Sequence, residues 1–441
     1  MRPRPAAHWN RTGQADRGKA PFDRPANVKG ALINRESPMN ILFVHNNFPG
    51  QFARLAQVLV DRKHNVHAIG GPPARGISVC PTHKYRQGRL PSKDLYPFAD
   101  RFEQDCLRGV AAAMVGSELS KHGFRPDVII GHPGWGEMMF LSDVWPKAKV
   151  VTYAEYLNSP LHTYVGFDPE FGERHLLGDV HLRAKNAGLL TTLTSSDLLI
   201  SPTEWQRSLH PEVLRSRIRV VHDGIDTERV RPANGARLRT PSGTVLKGGD
   251  EVVTYVNRHL EPLRGMHILL RALPKLLAAR PDCHVLIIGS DQGVPYGNAP
   301  KDGRTWKQML MSATDDRIDW SRVHWMGWVN YDAYLSALQL SRAHVYLTYP
   351  FVLSWSLLEA LSAGCTVIAS DVDPVREVIE DGKQGMLVDF FDVDGLVNKI
   401  VKVLTSKPGA FAPMQDTGRQ IVAERYSRRV CMPRWISSIE D

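Results

Sequence analysis

Two arginines, one glutamate and one histidine are the side chains here whose type and spacing could do chemistry. Arg258 and Arg264 flank "HLEPL", directly after an apolar run and before "MHILLRAL". Two always-charged guanidinium groups at the end of a strand suit a phosphate clamp, with a solvated loop and Glu261 as ion partner as the alternative. Glu359 is the lone acid in "SWSLLEALSAG". Ser356 and Glu359 match S-x-x-E, a helix capping box, so Glu359 can serve the helix alone. The same turn offers the backbone amides of Ser354, Trp355, Ser356 and Leu357 to a diphosphate, with Glu359 one turn further in to accept from ligand hydroxyls. His132 stands in "IIGHPGWGE", after a strand and among glycines, which places it at a cleft edge; Glu137, Tyr153 and Glu155 are secondary candidates near similar strand ends. Gly50, before Gln51, either presents amides to an anion or serves a plain turn. "LIIGSDQGVPYG" spaces Gly289, Gly293 and Gly297 wrongly for the dinucleotide fingerprint, which disfavours an NAD enzyme, while Gly289 stays a candidate for the nucleotide-diphosphate side.

These residues need strands to end beside them. "NILFVHN", "NVHAIGG", "PDVIIGHPG", "KVVTYAEYL" and "DLLISPT" are short apolar runs, as buried parallel strands are. Phe52, Leu55, Ala56, Leu59 and Val60 repeat at helical spacing between the first two. The alternation restarts at Glu251 with "EVVTYVNRH" and continues through "HVLIIGSD", "HVYLTYP" and "CTVIASD". The expected fold class is α/β: two tandem doubly wound, Rossmann-like domains facing a central cleft, where ligands sit at the carboxyl ends of strands. Residues 39–224 form the first domain, 225–250 a linker or long surface loop, 251–410 the second domain, and 411–441 a C-terminal helical segment.

The 441 residues exceed the usual size of one core, in agreement with two domains. Net charge is +9, and residues 1–38 supply +5 of it from eight Lys/Arg and three acids. That Pro/Gly-rich stretch is expected to be a disordered basic extension without the apolar segment of a secretory signal, the folded chain beginning at Met39. Five scattered cysteines without a CxxC pair read as a reduced, cytoplasmic protein with no zinc ribbon. No run reaches the eighteen apolar residues of a membrane span.

Taken in order, these segments resemble the family 4 retaining glycosyltransferases, with the two-domain glycosyltransferase B fold. "VNRHLEPLRGMHILLRAL" resembles the family's arginine–lysine segment, with Arg264 at the lysine position. "LEALSAGCTVIASDVDPVREVIEDGKQGMLV" is similar to its "EAMA.G.PVIA…EVI.DG.NG.LV" segment, and "VHDGID" to its "PNGVD" element. "RVHWMGWVNYDAYLSAL" resembles the base-side segment, which implies Gly327 and Val329 near the nucleotide base. "DVIIGHPG" is similar to the strand that carries the family's active-site histidine, here His132. "RQIVAERYSRRVCMPRWISSI" suits the helix that crosses back to the first domain. The family carries two glutamates as E-x7-E; Glu359 is the second, and the first falls on Phe351.

The resemblance implies transfer from a UDP-, GDP- or ADP-sugar to a glycan, lipid or small-molecule acceptor with retention of configuration. It implies no cofactor, no obligatory metal and no nucleic-acid partner, and leaves peripheral contact with the inner membrane face open. The Asp371–Asp373 DVD falls in a loop near the donor, not at a metal site. The catalytic set it implies is His132, Arg258, Arg264 and Glu359. Phe351 also motivates a catalytically silent nucleotide-sugar-binding protein, and the fold admits a nucleotide-sugar epimerase.

Overall fold

A computed structural model describes residues 37–314 and 318–440. The expected basic extension lies, but for its last two residues, outside the described residues.

The first sheet is built from β1 (Asn40–His45), β2 (Asn65–Gly70), β3 (Thr82–Lys84), β4 (Val128–Gly131), β5 (Lys149–Tyr153), β6 (Leu198–Ser201) and β7 (Ile218–Val220). Its spatial order is β3-β2-β1-β4-β5-β6-β7, with every pairing parallel. β1 shows why its sequence is apolar throughout. Ile41 and Phe43 enter one buried cluster while Leu42 and Val44 enter another, because successive side chains point to opposite faces. The helix Ala53–Asp61 lays Leu55, Ala56 and Leu59 on that first cluster, as its period requires.

The second sheet is also wholly parallel, in the order β12-β11-β10-β13-β14-β15. Its strands are β10 (Val252–His259), β11 (His284–Ser290), β12 (Val323–Gly327), β13 (Ala343–Tyr346), β14 (Val367–Ser370) and β15 (Met386–Val388). Val253 and Tyr255 bury on one face, Val252 and Val256 on the other. Two Rossmann-like lobes follow, each with a sheet covered on both sides.

The segment 225–250, expected as a linker or surface loop, is structured instead. β8 (Arg237–Arg239) and β9 (Val245–Lys247) form an antiparallel hairpin. Its central residues, Leu238 and Leu246, are buried in the same cluster as Val252 and Leu286. One buried apolar residue per three-residue strand is enough to dock it, but too little to show as a period. At the other end of the chain, the helix Arg428–Glu440 buries Cys431, Met432, Trp435, Ile436 and Ile439 in the first lobe's core. Glu440 pairs with Arg62 of that lobe at 2.8 Å.

Candidate nucleotide-sugar site

The strand β10 ends in Arg258 and His259, and a turn leads to the helix Met266–Ala279. Gly265 makes that turn possible. Its φ is +75°, and a Cβ there would lie 2.3 Å from the Leu347 Cβ, so glycine alone fits. Arg264, just before it, is 3% exposed. Its Nη1 donates to Thr348 Oγ1 (2.9 Å), and Nη1 and Nη2 both donate to the Val352 carbonyl (3.3 and 3.2 Å). The guanidinium also sits 5.5 Å from the Tyr296 ring centre and 5.3 Å from that of Phe351. Arg258 is exposed and lies 5.9 Å from the same Tyr296 ring. Glu261 is not the ion partner that the alternative reading required. Its carboxylate accepts from the amides of Tyr296 (3.2 Å) and Gly297 (3.1 Å), and so ties the 291–305 loop to the turn. Among the described residues no carboxylate forms a salt bridge with either arginine. Two cations without a salt bridge around one aromatic ring, one of them buried within the field of Glu261, leave a place for an anion.

The helix Trp355–Ser362 follows β13 and its loop. Its N-cap is Ser354, whose hydroxyl accepts from the Ser356 amide (3.3 Å); Ser356 lies inside the helix and is not the cap of an S-x-x-E box. The four amides expected to face a diphosphate are mostly taken. Ser354 N–H donates to the Tyr346 hydroxyl (2.9 Å), and Leu357 N–H to the Ser354 carbonyl (3.2 Å). Of the four, the Trp355 amide alone lacks a partner among the described residues. Glu359 does not reach back to the helix start. Its two oxygens accept from the hydroxyls of Tyr331 (2.6 Å) and Tyr334 (2.7 Å). Burial pushes its carboxyl above the usual range, against the pull of both tyrosines and of Arg428. Gly327 closes β12 with a φ of +62° and open space around it, and Val329 packs on the second core. Both precede the helix Tyr331–Leu340 that holds Glu359, so the base-side segment and the glutamate do come together. Gly289 has a different duty: a Cβ there would lie 2.3 Å from the Asn257 carbonyl oxygen, so it serves the close approach of β11 to β10.

Phe351 occupies the position where the resemblance calls for a carboxylate. Its ring lies 5.2 Å from Tyr156, 5.4 Å from Tyr164 and 5.3 Å from Tyr296. The first two belong to the first lobe and the third to the second. The cluster thus joins the lobes with aromatic contacts beside Arg264.

Across the cleft, His132 follows β4 and is buried. Its Nδ1 accepts from the Gly134 amide (3.0 Å), which places the ring proton on Nε2, 3.1 Å from Glu155 Oε2. The ring packs against those of His45 and Trp135. Burial, with His132 beside it, lowers the His45 pKa to about 3, so that ring is neutral. Gly50 enters this group from below. It has a φ of +51°, and a Cβ there would lie 2.7 Å from the His45 ring, so its role is to let the turn close on the histidine.

Asp223, within the quoted "VHDGID" but not singled out as a site residue, joins the two sides. Its Oδ2 accepts from Tyr153 (3.0 Å) and from the exposed Trp355 indole (2.9 Å). Asp168 makes a second junction, buried against His267 Nε2 (3.0 Å) and the Tyr349 hydroxyl (2.7 Å). Two cavities open next to the Glu261 turn, of about 210 Å³ and about 530 Å³. Glu359 lines neither.

Known proteins resemble the chain along most of its length. Residues 62–230 match the Glycosyl transferase family 4 group, and residues 239–419 the Glycosyl transferases group 1. A phosphatidyl-myo-inositol mannosyltransferase of Mycolicibacterium smegmatis is 30% identical over 41% of this chain and 44% of its own. A D-inositol 3-phosphate glycosyltransferase of the same organism is 28% identical over 49% of this chain and 47% of its own. The chain spans less than half the length of either relative. Sucrose-phosphate synthase from Thermosynechococcus elongatus shares the fold with a TM-score of 0.63 at 14% identity, covering 91% of this chain and 98% of that one. HepE of Anabaena, in complex with UDP and glucose, gives 0.60 at 15% identity, over 91% and 99%.

Proposed function

Because the chain belongs to the family 4 glycosyltransferases, with their two-lobed glycosyltransferase B fold, we propose that it moves a sugar from a nucleotide-sugar donor to an acceptor with retention of configuration and without an obligatory metal. The observation that carries the donor reading is the arginine pair. Arg258 and Arg264 share the Tyr296 ring, and neither forms a salt bridge among the described residues. Breaking the anomeric carbon–phosphate bond builds positive charge on the sugar and negative charge on the departing diphosphate. Fixed cations in a partly buried site stabilise the latter without reorganising. Arg264 is held by Thr348 and Val352, so it is positioned before any ligand arrives. The Trp355 amide adds one donor at the start of the helix. Glu359, already fixed by two tyrosines, accepts from the ribose hydroxyls with its remaining lone pairs. His132 presents its face toward the sugar or orients the acceptor, and Glu155 fixes its tautomer. The acceptor hydroxyl attacks from the side of the leaving group, whose phosphate takes the proton. HepE, of the same fold, is described with UDP and with UDP-glucose, which favours a uridine carrier among the three nucleotides. Cytoplasmic action, with peripheral contact at the inner membrane face, belongs to the same proposal; no described helix is long and apolar enough to cross a membrane.

One observation favours a second reading. Phe351, with its three tyrosines, fills the place that the resemblance gives to a sugar-binding carboxylate. A protein that binds nucleotide sugars but does not turn them over would tolerate that. A thermal-shift panel of UDP-, GDP- and ADP-sugars, followed by hydrolysis assays on each binder, separates the two. Binding with turnover is expected. Binding without turnover selects the second reading, and no shift with any nucleotide overturns both.

A further inference from the structure

The cavity of about 530 Å³ lies between residues 164–185 of the first lobe and the Glu261–Leu263 turn of the second. That volume is within the usual range of small-molecule sites, about 300–1,000 Å³. Its walls carry six aromatic side chains: Phe98, Tyr164, Phe171, Tyr296, Trp306 and Tyr349. Several are anchored. Trp306 Nε1 donates to the Asn298 carbonyl (2.9 Å), Phe171 meets Trp306 edge-on at 5.3 Å, and Phe98 stacks on His181 at 5.3 Å.

The charges in the wall oppose an anionic ligand. Four carboxylates (Asp168, Glu173, Asp179 and Glu261) face two fixed cations, Arg174 and Lys185. Arg174 is already bound to Asp179 at 2.8 Å. With Arg174 committed to Asp179, Lys185 is the one fixed cation of the wall left to meet a phosphate or sulfate group, against the carboxylates of Glu173 and Glu261. A neutral, polyhydroxylated ring fits better. Its C–H faces pack on aromatic rings, whose faces carry the negative end of the quadrupole, and its hydroxyls donate to carboxylates. The place in the fold gives the cavity its use. Tyr296 lines it and is also the ring shared by Arg258 and Arg264, so one wall residue of the cavity is common to it and the diphosphate clamp.

We propose that this cavity is the acceptor subsite and takes a neutral glycan; the word acceptor rests on the glycosyltransferase reading above. The full chain, with no donor present, is applied to an array of neutral, phosphorylated, sulfated and uronate-bearing oligosaccharides. Neutral glycans are expected to retain it. Trp306→Ala is expected to weaken that retention about tenfold, and Trp306→Phe, which keeps a ring, to preserve most of it. Thermal shifts with UDP, GDP and ADP are expected to be the same in all three proteins. Retention by anionic glycans only, retention by none, or indifference to Trp306→Ala overturns the proposal. Neutral-glycan retention without any nucleotide shift supports the cavity and counts against the donor reading alone.

Discussion

The Trp355 indole donates to Asp223 Oδ2 at 2.9 Å, and the two residues belong to opposite lobes. Asp223 follows the last strand of the first sheet, while Trp355 opens the helix that presents the one unpartnered amide of the expected diphosphate site. The same oxygen accepts from Tyr153, next to His132. One carboxyl therefore couples the histidine side of the cleft to the arginine side.

That carboxyl gives stability a pH dependence of predictable sign. Burial pushes Asp223 up to about 7; the bonds from Trp355 and Tyr153 and the nearby His132 pull it down, and Glu155 pushes it up. A carboxyl whose folded pKa is raised is protonated in the folded chain where the unfolded chain has already ionised. Its contribution is then fully present below about pH 4 and is lost as pH rises toward about 7, by at most about 4 kcal/mol. Asp223→Asn is expected to flatten the melting temperature across that window. The check is a set of thermal melts from pH 4.5 to 8 on both proteins; equal slopes would show that Asp223 titrates normally.

Phe351 is expected to stabilise the closed arrangement of the lobes. Its ring touches Tyr156 and Tyr164 on one side and Tyr296 and Arg264 on the other. Truncating a fully buried phenylalanine costs about 3–5 kcal/mol, and this one is half-buried, so Phe351→Ala should cost about 2 kcal/mol. Denaturant unfolding measures it. A change within about 0.5 kcal/mol, typical of a surface site, would mean that the ring contacts do not bear on stability.

Arg264 has two duties, and two substitutions separate them. Arg264→Ala removes a transition-state cation and leaves Thr348 Oγ1 and the Val352 carbonyl with one partner fewer. Loss of one oxyanion donor costs about 3 kcal/mol, or about a hundredfold in turnover. Arg264→Lys keeps the charge but not the fork, so it should recover part of the rate. Donor hydrolysis and transfer rates, compared with melting temperatures, provide the test. Near wild-type turnover in a folded Arg264→Ala protein would remove this residue from the clamp.

Much of the frame was legible because buried parallel strands are apolar on both faces and cannot be mistaken for loops. Arg258 and Arg264 could be placed at a strand end on the same ground. The rest depends on residues far apart in sequence. Nothing in "SWSLLEALS" shows that Glu359 turns toward Tyr331 and Tyr334, which come from another helix; locally it reads as a capping box. Ser354, not Ser356, caps because the loop from β13 enters the helix two residues earlier than the S-x-x-E pattern places it. The aromatic group around Phe351 draws on positions 156, 164 and 296, a set that no local pattern could assemble. For Asp223 a signal existed: an acid stands where "PNGVD" has asparagine. The hairpin at 237–247 was announced only by the turn residues in "TPSGT".

Glu359→Gln tests whether a fixed carboxylate is also a ligand. In the wild type each oxygen accepts one tyrosine hydroxyl, and an ionised carboxylate still has lone pairs for two more donors. Glutamine keeps one acceptor oxygen and turns an NH2 group toward the other tyrosine. The helix should persist, since its N-cap is Ser354 and does not involve position 359. A hydrogen bond from a neutral ribose hydroxyl to a charged acceptor is worth about 1.5–3 kcal/mol, so nucleotide affinity should fall about tenfold or more. Calorimetric titration with UDP measures the affinity, and circular dichroism checks the helix. Full affinity in the glutamine protein would confine Glu359 to holding the two tyrosines, and the ribose would need another partner.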